Sequence, residues 1–341
     1  MTKYLDLNKI LPYQRNFNFI NGERSIGKTY TVMKFVISKC LKRGVEFVYL
    51  VRTKNQKKAG ALGDAFKKVL LNEFSEYRIE CTNEDMVNIT ECEDKDERIQ
   101  LGYCLALSEK TEIKQRSFPK VKYIIMDEYM LETNNQNEYY KGWKEPDEFL
   151  NIYHTIDREE DRVICFLLGN NTSFYNPYHL HPAFNIPFIG KGELWTSENV
   201  LFYWAQASEE LKEDKAKSKF IKMIEQTDYS TYAVGGNYIY DEAQLIEPTP
   251  KNARLLFTLE INKKQYGFYC LSSLFFITPI VKGNPQIRFV INKSDMKEGF
   301  YLASKDFSYI KLFINMFKRS MIRYDSMETK AIIQNEIFKI L

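Results

Sequence analysis

The sequence has few of the residues that build metal centres or disulfide frameworks. Of its 341 residues, six are cysteines and three are histidines. The cysteines are never closely paired, which excludes the common zinc and thioredoxin-like motifs, and a chain of this length needs no disulfides to fold. We therefore expect a reducing compartment. His179 and His181 lie in an irregular run without an acidic residue beside them, so a zinc site is not expected there.

Long apolar stretches are also missing. The longest, residues 270–281, is interrupted by serine, threonine and proline and falls short of the ~20 apolar residues that cross a bilayer. The N-terminal residues 1–10 alternate polar with apolar side chains and lack the apolar centre of a secretory signal. We therefore expect a soluble protein without a membrane partner.

Charge is nearly balanced over the whole chain but is unevenly distributed. The net charge at neutral pH is +3, yet residues 251–341 carry +8 and residues 1–250 carry −5. A basic segment is typical of surfaces that meet nucleic acid or an acidic partner, because clustered Lys and Arg attract phosphate. An ordinary solvated surface explains the same charge equally well.

What the sequence does contain is a complete phosphate-binding motif. Residues 22–29 are GERSIGKT and match G-x-x-x-x-G-K-[ST] at every fixed position. A short alternating strand over residues 16–20 precedes the motif, and apolar residues at helical spacing over residues 28–43 follow it. We expect Lys28 to reach the β- and γ-phosphates of ATP and the Thr29 hydroxyl to ligate Mg²⁺. The other residues expected to line the nucleotide are Gly22, Glu23, Arg24, Ser25, Ile26 and Gly27.

A second motif follows a buried strand. Residues 121–126 form an apolar run of the type found in central parallel strands, and Asp127 and Glu128 come directly after it. We expect Asp127 to hold Mg²⁺ and Glu128 to accept the proton of the attacking water. The next apolar run, residues 163–168, leads to Asn170, which either contacts the γ-phosphate as a sensor or forms an ordinary Gly–Asn turn.

Several basic residues lie where they could act outside this nucleotide site. Either Arg158 or Arg162, in the loop before residues 163–168, could act as an arginine finger at a neighbouring subunit, or both could belong to a solvated charge run. Arg24 has no role in an ordinary phosphate loop. Four more basic residues follow the predicted strand 45–51, where they could contact nucleic acid, a neighbouring subunit or only solvent: Arg52, Lys54, Lys57 and Lys58.

The remaining patterns divide the chain into three predicted domains. Further strands are predicted over residues 45–51, 85–90, 99–107 and 199–205, and helices over residues 61–71 and 208–226. C-terminal strands are predicted over residues 254–261, 266–277 and 287–291, and helices over residues 307–324 and 328–340. We predict an α/β P-loop NTPase domain with a mainly parallel sheet at residues 1–200, a helical linker at 201–235, and an α+β domain at 236–341.

The segments GERSIGKT, YIIMDE, TIDRE and FLLGNN, in this order and spacing, resemble the DNA encapsidation (genome packaging) ATPases of small short-tailed phages with protein-primed genomes. The motifs cover most of residues 10–175, and the remainder is similar in layout only. The resemblance implies an additional-strand P-loop ATPase, a helical linker, and a C-terminal domain similar to ribonuclease H without a working nuclease site. It also implies that Arg158 is a finger acting in trans and that Lys54 has a trans or DNA role.

The resemblance further implies a pentameric ring on the portal of an empty capsid, in the host cytoplasm, that drives double-stranded DNA inward by hydrolysing ATP. Some relatives dock through a structural RNA, and the basic C-terminal segment suits that partner as well as direct portal binding. Two other functions fit the motifs: a terminase-type enzyme that also cuts DNA, and a nucleotide-gated nucleic-acid-binding protein without turnover. The carboxylates Glu260, Asp295 and Asp306 are scattered and do not form a convincing two-metal cluster.

Overall fold

The computed structural model describes residues 3–58, 62–83, 86–91, 98–131, 142–224, 245–261 and 263–337. The chain divides into two compact units, Met1–Tyr240 and Asp241–Leu341. Within the described segments, no helix is long and apolar enough to cross a membrane.

The first unit contains the phosphate-loop motif and a large sheet. Its described strands are β1 (Phe17–Gly22), β2 (Glu46–Val51), β3 (Tyr77–Asn83), β4 (Met86–Glu91), β5 (Arg98–Ala106), β6 (Val121–Asp127), β7 (Ile164–Asn170), β8 (Leu194–Thr196) and β9 (Val200–Ala205). Its described helices are α1 (Lys28–Arg43), α2 (Lys54–Lys58), α3 (Gly63–Glu73), α4 (Lys110–Lys114), α5 (Glu145–Asp157), α6 (Glu209–Ala216) and α7 (Lys219–Ile224).

The nine strands form one sheet in the order β3-β4-β5-β2-β6-β7-β1-β9-β8. The inner strands pair in parallel, and the antiparallel pairs lie at the two margins of the sheet. Strand β7 separates β1, which leads into the phosphate loop, from β6, which ends at the acidic pair. This is the additional-strand arrangement, so the predicted fold class of the first unit is confirmed.

The central strands are apolar on both faces because helices cover both faces. Ile20 of β1 belongs to the same hydrophobic cluster as Val32 and Val36 of α1. Its neighbour Phe19 points the other way and clusters with Phe149 of α5. Successive side chains of a strand alternate between faces, so a strand buried on both sides has a continuous apolar run.

The second unit is an α+β fold. Its described strands are β10 (Arg254–Ile261), β11 (Lys264–Leu271), β12 (Leu274–Thr278), β13 (Arg288–Val290), β14 (Tyr301–Leu302) and β15 (Ile322–Tyr324), and its helices are α8 (Ser308–Lys318) and α9 (Met327–Ile337). The sheet order is β14-β13-β10-β11-β12-β15. Strands β10, β11 and β12 form antiparallel hairpins, whereas β13 and β14 add in parallel beside β10. This order agrees with the ribonuclease-H-like layout that the resemblance implied.

Two predictions in the second unit were wrong. Residues 266–277 were expected to form one strand, but the chain turns at Ser272, whose φ is 56°, and forms β11 and β12. Residues 307–324 were expected to be one helix, but α8 ends at Lys318 and residues 322–324 form β15 beside β12. Apolar spacing alone cannot distinguish a helix end from a short buried strand that follows it.

The first unit also differs from prediction near its end. Strand β9 pairs with β1, so the large sheet continues past the expected boundary at residue 200. The helix predicted over residues 208–226 is instead two short helices, α6 and α7. The later part of the predicted linker, residues 225–235, lies outside the described residues. The sequence patterns did not predict α2, α5 or β3.

Candidate nucleotide-binding site

The loop between β1 and α1 has the shape of a phosphate-binding loop. Gly27 and Ser25 hold left-handed backbone conformations, with φ of 81° and 64°. A Cβ at Gly22 would lie 2.4 Å from the Ile26 side chain and 2.9 Å from the carbonyl oxygen of Ala205, so only glycine fits there. The loop leads into the N-terminus of α1, where unpaired N–H groups and the helix dipole favour an anion.

Lys28 places its ammonium group inside this loop. The Lys28 Nζ donates to the carbonyl oxygens of Gly22 and Glu23, both at 2.9 Å, and to Asn170 Oδ1 at 3.1 Å. Burial lowers the pKa of Lys28 to about 8, against the attraction of Asp127. The structure thus brings the predicted phosphate-binding lysine and the sensor candidate Asn170 into contact.

Thr29 and Asp127 form the second contact between the motifs. The Thr29 hydroxyl donates to Asp127 Oδ2 at 2.7 Å, and Asp127 Oδ1 accepts the N–H of Glu128 at 3.0 Å. Burial raises the pKa of Asp127, and its hydrogen bond to Thr29 opposes that shift. A hydroxyl and a carboxylate in contact beside a phosphate loop are the donor set that Mg²⁺ takes in P-loop proteins, so these residues fit the ion.

Glu128 is exposed and lies beside this pair. Its φ is 55°, a left-handed conformation that is rare outside glycine. It lines a cleft together with Asp127, Arg52, Gln56 and Tyr49. A carboxylate in an open cleft beside the candidate Mg²⁺ ligands is accessible to a water molecule, as a general base must be.

Arg52 does not lie where we expected it. Its side chain is 5% exposed and pairs through Nε with Glu145 Oε2 at 3.1 Å. Its Nη1 and Nη2 donate to the carbonyl oxygens of Glu128 at 2.6 Å and Tyr129 at 2.5 Å. These contacts argue against the prediction that Arg52 meets DNA or another subunit.

The other basic residues of this segment separate into two groups. Lys57 is buried, and its Nζ bonds both carboxylate oxygens of Glu109 at 2.9 and 2.7 Å. Burial therefore contradicts the predicted nucleic-acid or trans role of Lys57 as well. The Lys54 Nζ lies 3.5 Å from Glu109, which is farther than the Lys57 Nζ. Because the Lys54 side chain is also 54% exposed, its ammonium group is accessible at the surface. The side chain of Lys58 lies outside the described residues.

Arg158 and Arg162 lie between α5 and β7, before the strand begins. The phosphate loop follows β1, whose last residue Gly22 is in register with Asn170 at the far end of β7. A strand of seven residues spans ~23 Å. Both arginines are thus at the amino edge of the sheet, away from the phosphate loop of their own chain.

The two arginines differ in how their guanidinium groups are used. Arg162 donates to the carbonyl oxygens of Val121 and Phe118, the latter at 3.0 Å, and pairs with Glu160 at 2.7 Å. Arg158 is exposed, and its guanidinium bonds none of the residues that the structure describes. The structure therefore favours Arg158 over Arg162 as the candidate finger.

Sequence patterns missed a contact between α6 and the phosphate loop. Glu23 is buried within the loop, and Lys215 Nζ lies 3.2 Å from its Oε2. The same ammonium donates to the carbonyl oxygen of Arg24 at 2.8 Å, whereas the Arg24 side chain itself is exposed. Because nearly two hundred residues separate the partners, no local pattern could indicate this contact.

A buried polar cluster behind the site was also missed. The Tyr129 hydroxyl donates to Asn21 Oδ1 at 2.6 Å and lies 2.6 Å from His179 Nε2. Burial lowers the pKa of His179 to about 3, so the ring is neutral. The cluster ties the residue after Glu128 to the strand that leads into the phosphate loop.

The candidate nuclease carboxylates of the second unit have local partners. Glu260 is buried and pairs with Lys297 at 2.6 Å. Asp295 bonds Asn292 at 3.2 Å, and Asp306 bonds Ser304 at 3.0 Å. Among the residues described, no three acidic, histidine or cysteine side chains converge.

Comparison with known proteins places this geometry in context. Residues 1–341 match the model of the podovirus DNA encapsidation protein (Gp16) family. The DNA packaging protein of Bacillus phage B103 is 25% identical over 336 residues, covering 97% of this chain and 98% of the relative. That of Bacillus phage phi29 is 25% identical over 341 residues, covering 97% and 96%.

Two solved structures share the fold. A chain of the bacteriophage phi29 viral genome packaging motor assembly matches with a TM-score of 0.74 at 23% identity, over 100% of both chains. The N-terminal domain of the DNA packaging ATPase from bacteriophage phi29 matches with a TM-score of 0.52 at 25% identity, covering 61% of this chain and 99% of that chain.

Proposed function

This chain belongs to the podovirus DNA encapsidation protein (Gp16) family, and on that premise we propose that it is an ATP-hydrolysing motor that moves double-stranded viral DNA into a preformed capsid. The observation that carries the proposal is the 2.7 Å contact between Thr29 and Asp127 beside the Lys28 ammonium. It unites a phosphate loop and an acidic strand at one sheet edge. The relatives from phages B103 and phi29 are DNA packaging proteins of similar length.

In this proposal each residue of the site has one task. Lys28 binds the β- and γ-phosphates, and Thr29 and Asp127 hold Mg²⁺, which neutralises phosphate charge when bound. Glu128 accepts the proton of the water that attacks the γ-phosphorus; the bond from this phosphorus to the oxygen that bridges it to the β-phosphate breaks, and ADP and inorganic phosphate leave. Asn170, which contacts Lys28, orients that water or the γ-phosphate.

The proposal includes a ring because the catalytic arginine has to come from another subunit. Arg158 lies at the sheet edge away from the phosphate loop and is exposed, so it can stabilise transition-state charge only in a neighbour. We place the ring, as a pentamer, on the portal of a procapsid in the host cytoplasm. Lys54 is exposed and is the candidate for contact with DNA or with a neighbouring subunit. The basic second unit is the candidate for binding the portal or a structural RNA.

The structure favours neither alternative function. A terminase-type nuclease needs carboxylates that are free to bind two metal ions, whereas Glu260 is paired with Lys297 at 2.6 Å. A nucleotide-gated binding protein without turnover needs no exposed carboxylate beside the Mg²⁺ ligands, yet Glu128 occupies that position.

The test combines nucleotide binding, hydrolysis and packaging into purified capsids. We expect Lys28→Ala to lose binding and hydrolysis, and Glu128→Gln to bind ATP but hydrolyse it about 10²–10⁴-fold more slowly. Lys34→Ala is the matched control, since Lys34 lies on the same helix but pairs with Glu73 at the surface. Absence of hydrolysis by the wild-type protein would contradict the ATPase, and undiminished hydrolysis by Glu128→Gln would contradict the role of Glu128 as general base. Hydrolysis without DNA uptake would contradict the packaging role.

A further inference from the structure

We propose that Arg52 is a positioning residue for Glu128: its buried guanidinium holds the backbone on which the catalytic carboxylate is mounted. The inference rests on the proposed function, since it assumes that Glu128 is the general base. Its basis is the pair of bonds from Arg52 to the carbonyl oxygens of Glu128 and Tyr129, at 2.6 and 2.5 Å.

The conformation of Glu128 explains why such a clamp is needed. Strand β6 ends at Asp127, and Glu128 turns the chain with φ of 55°. A left-handed conformation at a residue with a side chain costs about 1–2 kcal/mol and persists only where its surroundings enforce it. Two charge-assisted bonds to consecutive carbonyl oxygens fix the peptide between them and therefore enforce this turn.

Arg52 is itself held in place from the other side. Its Nε pairs with Glu145 at 3.1 Å, and the Tyr178 hydroxyl donates to the second carboxylate oxygen of Glu145 at 2.9 Å. Glu145 is fully buried, so its charge requires these partners. Helix α5 thus orients the guanidinium, and the guanidinium orients Glu128.

The residue after Glu128 is anchored independently. The Tyr129 N–H donates to the carbonyl oxygen of Leu168 at 3.1 Å, and its hydroxyl donates to Asn21. Asp127 before it belongs to strand β6. Glu128 therefore lies between two fixed residues, and Arg52 contacts the carbonyl oxygen of the turn itself.

The planar fork of arginine is essential to this role. A lysine would place one donor group where arginine bonds two carbonyl oxygens at once. Arg52→Lys should therefore keep a cation beside Glu145 but weaken the clamp. Arg52→Ala should remove the clamp and leave Glu145 without this partner.

A parallel ion pair supplies the matched control. Lys110 Nζ lies 2.6 Å from Glu148, which is on α5 with Glu145 and is also buried. Like Arg52–Glu145, this pair ties an upstream segment to α5. Replacing Lys110 with Met, or Glu148 with Gln, tests the loss of a partly buried ion pair that joins α4 to α5.

The experiment measures steady-state kcat and KM, affinity for a fluorescent ATP analogue, and thermal melting. We expect Arg52→Ala to lower kcat about 100-fold with nucleotide affinity within about threefold of wild type, because binding groups are untouched. The kcat of Arg52→Lys should lie between those of wild type and Arg52→Ala. Lys110→Met and Glu148→Gln should keep kcat within about threefold. Adding Arg52→Ala to Glu128→Gln should slow hydrolysis no further, since the two residues act as one unit.

Several results would overturn the inference. An equal fall in kcat for Arg52→Ala and Lys110→Met at equal melting shifts would show a structural role only. A matching loss of nucleotide affinity would make Arg52 a substrate contact. If Arg52→Ala does not fold, Arg52→Lys provides the test: a kcat equal to that of wild type would contradict the positioning role of Arg52. If hydrolysis is slow in Glu128→Gln but normal in Arg52→Ala, the inference alone is rejected. Normal hydrolysis in Glu128→Gln rejects the proposed role of Glu128 as general base and the inference with it.

Discussion

The two edges of the large sheet differ in whether their candidate catalytic side chains are bonded within the chain. At the carboxyl edge, Lys28, Thr29, Asp127 and Asn170 bond one another or the loop around them. At the amino edge, the Arg158 guanidinium bonds none of the residues that the structure describes. One edge thus assembles the candidate hydrolytic site, and the other exposes a cation that lies too far from this site to reach it. The difference is what the proposed function requires of a catalytic unit that spans two subunits.

The largest expected effect tests this division directly. We expect Arg158→Ala to lower kcat about 10³–10⁵-fold, the contribution of an arginine finger. Its thermal stability should stay within about 0.5 kcal/mol of wild type, because the side chain is exposed. Steady-state phosphate release and denaturant unfolding measure the two quantities.

Mixed assemblies show whether Arg158 acts in trans. A Glu128→Gln subunit keeps Arg158, and an Arg158→Ala subunit keeps Glu128, so their interface contains one complete site. Mixtures should recover hydrolysis that neither variant shows alone. If no mixing ratio restores activity, the two edges do not complement each other.

The next effect separates the two arginines of the amino edge. Arg162→Ala removes donors to the carbonyl oxygens of Phe118 and Val121 and should destabilise the first unit by about 3 kcal/mol. The chain's three tryptophans all lie within residues 1–240, so their fluorescence reports unfolding of this unit. Equal unfolding midpoints for Arg162→Ala and Arg158→Ala would remove the distinction between the arginines.

A third effect depends on pH and concerns the carboxyl edge. The pKa of His179 is about 3 in the folded chain and about 6.5 when exposed to solvent. Below pH 6.5 the unfolded chain takes up a proton that the folded chain does not, so stability falls as the pH falls toward 3. The slope from this group is about 1.4 kcal/mol per pH unit, which amounts to about 2 kcal/mol at pH 5.

His179→Gln isolates that contribution. The variant keeps an amide near Tyr129 but cannot titrate, so its stability should fall less steeply than that of wild type between pH 6 and pH 4.5. Tryptophan-monitored unfolding at a series of pH values gives both slopes. If the free energy of unfolding falls equally steeply with pH in both proteins, burial does not keep His179 neutral in the folded chain.

Sequence patterns predicted the carboxyl edge because its groups are specified locally. Lys28 and Thr29 come directly after Gly27, and Asp127 and Glu128 come directly after an apolar run. Parallel strands bring such ends together, so their meeting followed from fold class alone. Whether Arg158 or Arg162 is available could not be predicted, because carbonyl groups distant in sequence occupy Arg162.

Long-range contacts also account for the errors. Arg52 and Lys57 follow β2 in a run of basic residues, and nothing adjacent in sequence indicates that they are buried in ion pairs with Glu145 and Glu109. The contact of Lys215 with Glu23 likewise joins distant segments. Charge composition shows which residues can bind phosphate, but only tertiary structure shows which of them remain exposed.

The smallest expected effect concerns Asn170, the residue that joins Lys28 to β7. Its Oδ1 accepts from the Lys28 ammonium at 3.1 Å, and in the proposed function its amide nitrogen is the donor that meets the γ-phosphate or the water. Losing one such hydrogen bond to a charged partner is worth about 1.5 kcal/mol, so Asn170→Ala should lower kcat about tenfold. ADP affinity should change little, because ADP has no γ-phosphate.

Asn170→Asp is the sharper variant. It keeps the acceptor for Lys28 but replaces the donor with a negative oxygen, which repels the γ-phosphate. ATP affinity should therefore fall more than ADP affinity, and the ratio of the two dissociation constants measures the contact. If Asn170→Asp and Asn170→Ala each reduce the affinity for ATP and the affinity for ADP equally, Asn170 only supports Lys28. The carboxyl edge then distinguishes ATP from ADP without this residue.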